Sequence, residues 1–123
     1  MRTQRRPGEP YYASPEQARS KIDLDIRSDI YSLGATLYHM IAGHVPFDGP
    51  SPAAVMAKHL TEHLAPVGQM DPCFSPPAAV VIHKMMAKKL DDRYQTPEHL
   101  LEDLDLALSG KMPQTTSTAS GRL

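Results

Sequence analysis

Cysteine is almost absent from this chain: Cys73 is the single one. One thiol cannot close an internal disulfide, and such sparing use of cysteine fits a reducing compartment. No base is evident near it in sequence, so it reads as an inert thiol rather than a nucleophile. An excess of either charge is lacking too. Thirteen Lys and Arg against fourteen Asp and Glu leave a net charge of −1 and a pI of about 6.6. That balance argues against a nucleic acid or an anionic membrane as the main partner. Arg2, Arg5 and Arg6 make the N-terminus basic, but three terminal charges read as a solvated end. No apolar run approaches ~18 residues, so no membrane span is expected. No signal-peptide core follows Met1, so the expected location is cytoplasmic. No stretch sustains a period of two, and no strand is assigned.

What the sequence does hold is helix punctuation. The stretch Ser28 to Gly43 carries Ile30, Leu33, Leu37, Met40 and Ile41 at helical spacing, and Tyr31, Gly34, Ala35, Tyr38 and Ala42 leave its other side nearly as apolar. A helix without a clear polar face is normally buried, so residues 28–42 are expected to form a central helix with the rest packed around it. Ser28 suits its N-cap, Asp29 the positive end of its dipole and Gly43 the left-handed position after it. Ser14-Pro15, Ser51-Pro52, Ser75-Pro76 and Thr96-Pro97 repeat a cap-plus-proline helix start. The helices they open are expected to run to about Arg19, His63, Lys88 and Gly110. Gln17 adds a capping-box partner for Ser14. Ala79, Ile82, Met85 and Met86 are expected on the inner face of the third, and Leu100, Leu101, Leu104 and Leu108 on that of the fourth. Residues 1–10 read as an irregular entry, and 111–123, rich in Ser and Thr, as a disordered tail. The fold class is all-α, with 41% hydrophobic residues sufficient for one modest core.

Other constellations carry little chemistry. His59 and His63 stand one turn apart beside Glu62, a partial zinc pattern without a third ligand. The carboxylate pairs Asp23/Asp25 and Asp91/Asp92 read as solvated loop charges. Glu102, Asp103 and Asp105 fall on the expected outer face of the last helix, while Met40, Met56, Met85 and Met86 read as core filling. No metal site is expected.

Gly8-Glu9-Pro10-Tyr11-Tyr12-Ala13-Ser14-Pro15-Glu16 resembles the end of a protein-kinase activation segment: a substrate-docking loop, then the Ala-Pro-Glu motif, here Ser14-Pro15-Glu16. The order of the later segments makes the likeness specific. Asp29-Ile30-Tyr31-Ser32-Leu33-Gly34 resembles the family's Asp-x-Trp/Tyr-Ser-x-Gly helix start, Gly43 to Phe47 its Gly-x-x-Pro-Phe turn, and Lys84 through Tyr94 the late segment that carries its Arg, here Arg93. Residues 8–108 are similar to the bacterial Ser/Thr kinases in that order. The resemblance implies the lower-lobe helices of a kinase over 8–109, flanked by an irregular 1–7 and a loose 110–123. It also implies a buried ion pair between Glu16 and Arg93, a hydrogen bond from Asp29 to the catalytic loop, a place for Gly34 in the helix start, and a substrate groove shaped by Gly8, Glu9, Pro10, Tyr11 and Tyr12.

The family's activity is ATP-dependent phosphorylation of protein Ser/Thr, which needs a Gly-rich loop, a strand Lys, a catalytic Asp and Asn, and a metal-binding Asp-Phe-Gly. The sequence holds none of these; Phe47-Asp48-Gly49 has the wrong order and place. The expectation is a kinase fragment that starts after the active site and is inactive alone. It would take no cofactor itself, although Mg·ATP serves the intact family, and its partners would be protein substrates or the missing kinase half. Two residues depart from the pattern. Glu9 stands where a Thr usually contacts the catalytic Asp, and a carboxylate there repels it; Ala13 replaces a larger apolar residue. The alternative is a non-catalytic helical interaction module. Either way, a central helix without its usual cover is expected to expose an apolar patch.

Overall fold

The computed structural model describes residues 10–19, 25–67 and 76–113. Among the described residues five α-helices follow one another: α1 (Pro15–Ala18), α2 (Ile26–Ala42), α3 (Pro52–Thr61), α4 (Pro76–Met85) and α5 (Pro97–Leu108). Single 3₁₀ turns stand at Pro10–Tyr12 and Leu90–Asp92, and there is no strand among the described residues.

Side chains cap the starts of α1, α2, α3 and α5, as orphan N–H groups require. At α1, Ser14 Oγ accepts from Gln17 N at 3.2 Å while Ser14 N donates to Gln17 Oε1 at 2.7 Å, a reciprocal capping box. Ser51 Oγ accepts from Ala54 N at 3.1 Å to start α3, and Thr96 Oγ1 accepts from His99 N at 3.2 Å to start α5. Gly43 ends α2 at φ 85° and donates to His39 O, a left-handed position open to glycine at no steric cost.

Helices α3 and α5 end at Thr61 and Leu108, two residues before the expected His63 and Gly110, and two further boundaries differ for a visible reason. Helix α2 begins two residues before Ser28, because Asp25 caps it by accepting from Arg27 N at 2.8 Å. Ser28 is instead buried within the first turn. Helix α4 stops at Met85, short of Lys88, because the Ala87 and Lys88 carbonyls turn toward Arg93, which donates to them at 2.6 and 3.2 Å.

The core has two parts, on either side of the α2–α4 crossing. Tyr31, Ala35, Tyr38, Phe47, Val67, Ile82 and Met86 form one; Ile30, Val81, Met85, Tyr94 and Leu100 form the other. Gly34 permits the crossing, since a Cβ there would lie 2.8 Å from Met85 Cβ.

Helix α2 is not surrounded, however. Ile26, Leu33 and Met40 are 44%, 48% and 73% exposed and recur at i, i+7 and i+14, one bare stripe down the helix. Met40 is therefore not core filling, whereas Met85 and Met86 are. On α5 the inner positions are Leu100, Asp103 and, half-buried, Leu104; Leu101 and Leu108 face water. Asp103, expected on the outer face, is buried instead, and the hydrogen bond that Tyr94 Oη donates to its Oδ2 at 2.7 Å offsets the cost. After α5, Lys111 N still donates to Leu106 O and Pro113 is buried. The expectations for 1–7 and 114–123, and for Cys73 and Asp23, lie outside the described residues.

Candidate functional site

The polar centre of the molecule is built where α1, α2 and the segment after the Leu90–Asp92 turn meet. Glu16, in the first turn of α1, is 4% exposed and Arg93 is 1% exposed. Arg93 binds the carboxylate with both terminal nitrogens, at 2.6 and 2.7 Å. Its remaining N–H groups go to the carbonyls of Arg27 (3.0 Å), Ala87 (2.6 Å) and Lys88 (3.2 Å). All five guanidinium donors are thus used, the condition under which a buried charge is tolerable. Ser28 Oγ adds a donor to Glu16 Oε2, and the Arg93 guanidinium lies 4.9 Å from the centre of the Tyr31 ring. Burial pushes the Glu16 carboxyl up, but the hydrogen bonds from Arg93 and Ser28, with the charge of Arg93, outweigh it and hold the group at about 2, against an ordinary 4.5.

Around this centre lies the Pro10–Tyr12 turn, which rests against both α2 and α3, while α1 also packs on α3. Tyr12 Oη and His39 Nδ1 of α2 share a hydrogen bond of 2.9 Å, and their rings stack. Ala13, Ser14 and Pro15 are buried behind the turn. Helix α3 is fixed from below: Tyr31 Oη and His59 Nδ1 lie 2.7 Å apart, and Lys88 Nζ donates to His59 O at 2.9 Å. A cation at those C-terminal carbonyls is also favoured by the helix dipole. Burial pulls the Lys88 ammonium down to about 8.

The residues singled out from sequence thus fall in three places. Glu16 and Arg93 are brought together, with Ser14 and Pro15 beside them. Pro10, Tyr11 and Tyr12 form the adjoining turn, whereas Gly8 and Glu9 lie outside the described residues. Gly34 stands at the helix crossing, and Asp29 stands apart, exposed on the first turn of α2. His59 and His63 diverge in use, His59 buried against Tyr31 and His63 exposed. Sequence reasoning misses Ser28, Tyr31, His39, Lys88 and Asp103 as site or hub residues. Helical spacing offers a signal on two buried faces: His59 follows Val55 and Asp103 follows Leu100.

Chemically this is a buttress rather than a reaction centre. The Glu16 carboxylate is fully occupied by its donors, and among the described residues no three His, Cys, Asp or Glu are grouped to hold a metal ion. Protein kinases generally use Mg·ATP, and the described residues do not fit it. Asp29 is an exposed carboxylate in the first turn of α2, and no phosphate-cradling glycine loop occurs in the sequence. No described helix is long and apolar enough to cross a membrane.

Comparison with known proteins agrees with this arrangement. The protein kinase domain family matches residues 2–104. Serine/threonine-protein kinase PknB of Mycolicibacterium smegmatis is 41% identical over 106 residues, covering 86% of this chain and 17% of that protein. A probable serine/threonine-protein kinase of Corynebacterium efficiens is 43% identical over 103 residues, covering 80% and 16%. Another, of Clostridium perfringens, is 40% identical over 98 residues, covering 80% and 14%. The chain therefore spans less than a fifth of the length of these relatives. With a family match over most of its length, centred on a Glu16–Arg93 pair that ties α1 to the segment after α4, the chain belongs to the protein kinase family.

Proposed function

We propose that residues 8–109 serve as the lower-lobe scaffold of a bacterial-type Ser/Thr protein kinase, with the ATP-binding and catalytic groups supplied by residues other than these 123. The observation that carries this reading is the five-donor Arg93 centre. It fixes α1, and with it the Pro10–Tyr12 turn, against α2 and α3. A turn held so firmly suits a wall on which a protein substrate is laid, since positioning is most of what phosphoryl transfer asks of a protein. In this reading Gly8, Glu9, Pro10, Tyr11 and Tyr12 line the substrate groove. Ser14, Pro15, Glu16, Gly34 and Arg93 hold its shape, and Asp29 supports a catalytic loop at the open end of α2. Mg·ATP is bound by the other segments. The partners are protein substrates and the rest of the kinase, not nucleic acid, and the working location is the cytoplasm, in line with a single cysteine and near-zero net charge.

The bare stripe Ile26, Leu33 and Met40 favours a second reading, a helical interaction module that binds a kinase without catalysing. Calorimetric titration of Mg·ATP into the 123-residue chain tests both. No heat of binding and no phosphate transfer are expected. Saturable nucleotide binding would contradict the scaffold reading and its alternative alike. Stable association with an intact kinase in the absence of nucleotide would favour the module.

A further inference from the structure

Helix α5 carries a face that neither reading uses. Leu101 is 58% exposed and Leu108 85%, and the half-buried Leu104 lies between them at i+3 and i+7. Leu101 and Leu108 stand on the outer side, and Met112, 56% exposed, follows the helix. Leu104 forms the inner edge of the strip, where it also packs against the core beside Tyr94 and Leu100. Within the helix every charged position has the same sign, and the cation close by, Lys111, lies beyond its end. Glu98, Glu102 and Asp105 are all exposed, and the helix contains neither Lys nor Arg. A solvated helix face carries mixed polar residues instead; an apolar ridge rimmed by polar residues marks a contact surface.

The charges decide what fits. The geometry points to the outer face of α5 as a docking surface for a basic amphipathic helix. Its apolar residues, at i, i+3 and i+7, lie along Leu101, the exposed edge of Leu104, and Leu108, and its Lys or Arg residues meet Glu98, Glu102 and Asp105. A second copy is disfavoured, because α5 against α5 sets carboxylates against carboxylates. An anionic bilayer is disfavoured for the same reason. The chain's own Arg2, Arg5 and Arg6 lack apolar residues at matching spacing. The partner is a separate cationic helix that contributes its own leucine-like stripe.

The test uses the full chain and a fluorescent peptide about four turns long, built of Leu and Lys with the leucines at i, i+3 and i+7. Fluorescence anisotropy is expected to give saturable binding, weakened roughly tenfold or more by Leu101→Ser with Leu108→Ser. Weakening of similar size is expected on raising salt from about 0.05 to about 0.5 M. Both leucines are exposed, so far-UV circular dichroism should be unchanged. Should that variant lose helix, Glu98→Gln, Glu102→Gln and Asp105→Asn together must weaken binding and flatten its salt dependence. The pair Leu33→Ser and Met40→Ser on α2 must leave affinity as it was. Equal affinity for a scrambled peptide or for an acidic one, or no effect of the α5 variants, overturns the inference. So does loss of binding in the α2 pair.

Discussion

Arg93 reaches Glu16 across 77 residues of sequence and binds it through both terminal nitrogens, one to each carboxylate oxygen, at 2.6 and 2.7 Å. Bidentate geometry and near-complete burial make this pair different in kind from Arg27 and Asp25 at the surface, whose 3.0 Å contact is partly solvated. An exposed pair contributes about 0–1 kcal/mol, whereas breaking a buried one leaves a charge with no partner. Glu16→Ala or Arg93→Ala is therefore expected to destabilise the chain by ~3–5 kcal/mol in urea titration. Arg27→Ala should cost under ~1 kcal/mol. Removing Glu16 and Arg93 together should not restore stability, because the carbonyls of Arg27, Ala87 and Lys88 then lose their donor. Equal small effects at Glu16 and Arg27 would contradict this ranking.

The same pair sets an acid limit. Glu16 titrates at about 2 when folded against an ordinary 4.5, so the unfolded chain takes up the proton first as pH falls. The stability it contributes is fully present above the unfolded value and is lost as pH falls from there toward about 2, on the order of 3 kcal/mol. Urea midpoints followed down this range should drop steeply, and Glu16→Gln should flatten the drop. An unchanged acid limb in that variant would place the sensitivity elsewhere.

Gly34→Ala sets two effects of opposite sign against each other. Alanine gains up to ~1 kcal/mol of helix propensity over glycine. Its Cβ, however, would sit 2.8 Å from Met85 Cβ and 3.0 Å from Met86 Cγ. Met85 Cβ is the root of a side chain on a packed helix and cannot swing aside, so overpacking of ~1–3 kcal/mol should win. The expected result is a lower melting temperature for Gly34→Ala and a still lower one for Gly34→Val. A gain in stability with alanine would mean that the α2–α4 crossing is looser than these distances imply.

The bare stripe on α2 should be visible to a hydrophobic dye. Ile26, Leu33 and Met40 recur exposed on one side of the helix, and such a patch binds dye even in a folded chain. Leu33→Ser with Met40→Ser should reduce dye fluorescence while leaving stability within about 0.5 kcal/mol of wild type. A sharp melt with no dye binding in the unaltered chain would argue that the stripe is covered.

Much of the fold was legible because proline and the residue before it mark helix starts by local chemistry. Ser14, Ser51 and Thr96 all cap through their own side chains. Local signals failed where a distant partner decides the outcome. Ser28 looked like a cap, but Asp25 takes that role and the Ser28 hydroxyl turns to Glu16. Lys88 looked helical, yet its carbonyl serves Arg93. Asp103 looked exposed until Tyr94 supplied a donor. Nothing in spacing pairs Glu16 with Arg93; that came from family resemblance alone. The apolar pattern of α2 was plain, but periodicity cannot say which apolar face is covered, and Leu33 and Met40 are left exposed.

The scaffold account is tested most directly at Met40, which is 73% exposed. The chain would be mixed with the part of a bacterial Ser/Thr kinase domain that carries its Gly-rich loop, catalytic Asp and Asp-Phe-Gly. Oxidation of side chains by hydroxyl radicals would then be followed by mass spectrometry. The account predicts a stable complex in which Met40 and Leu33 become protected roughly fivefold or more, as burial of an exposed side chain demands, while Leu108 on α5 stays reactive. A mixture that forms no complex, or a complex in which Met40 and Leu33 oxidise as fast as in the free chain, would contradict it.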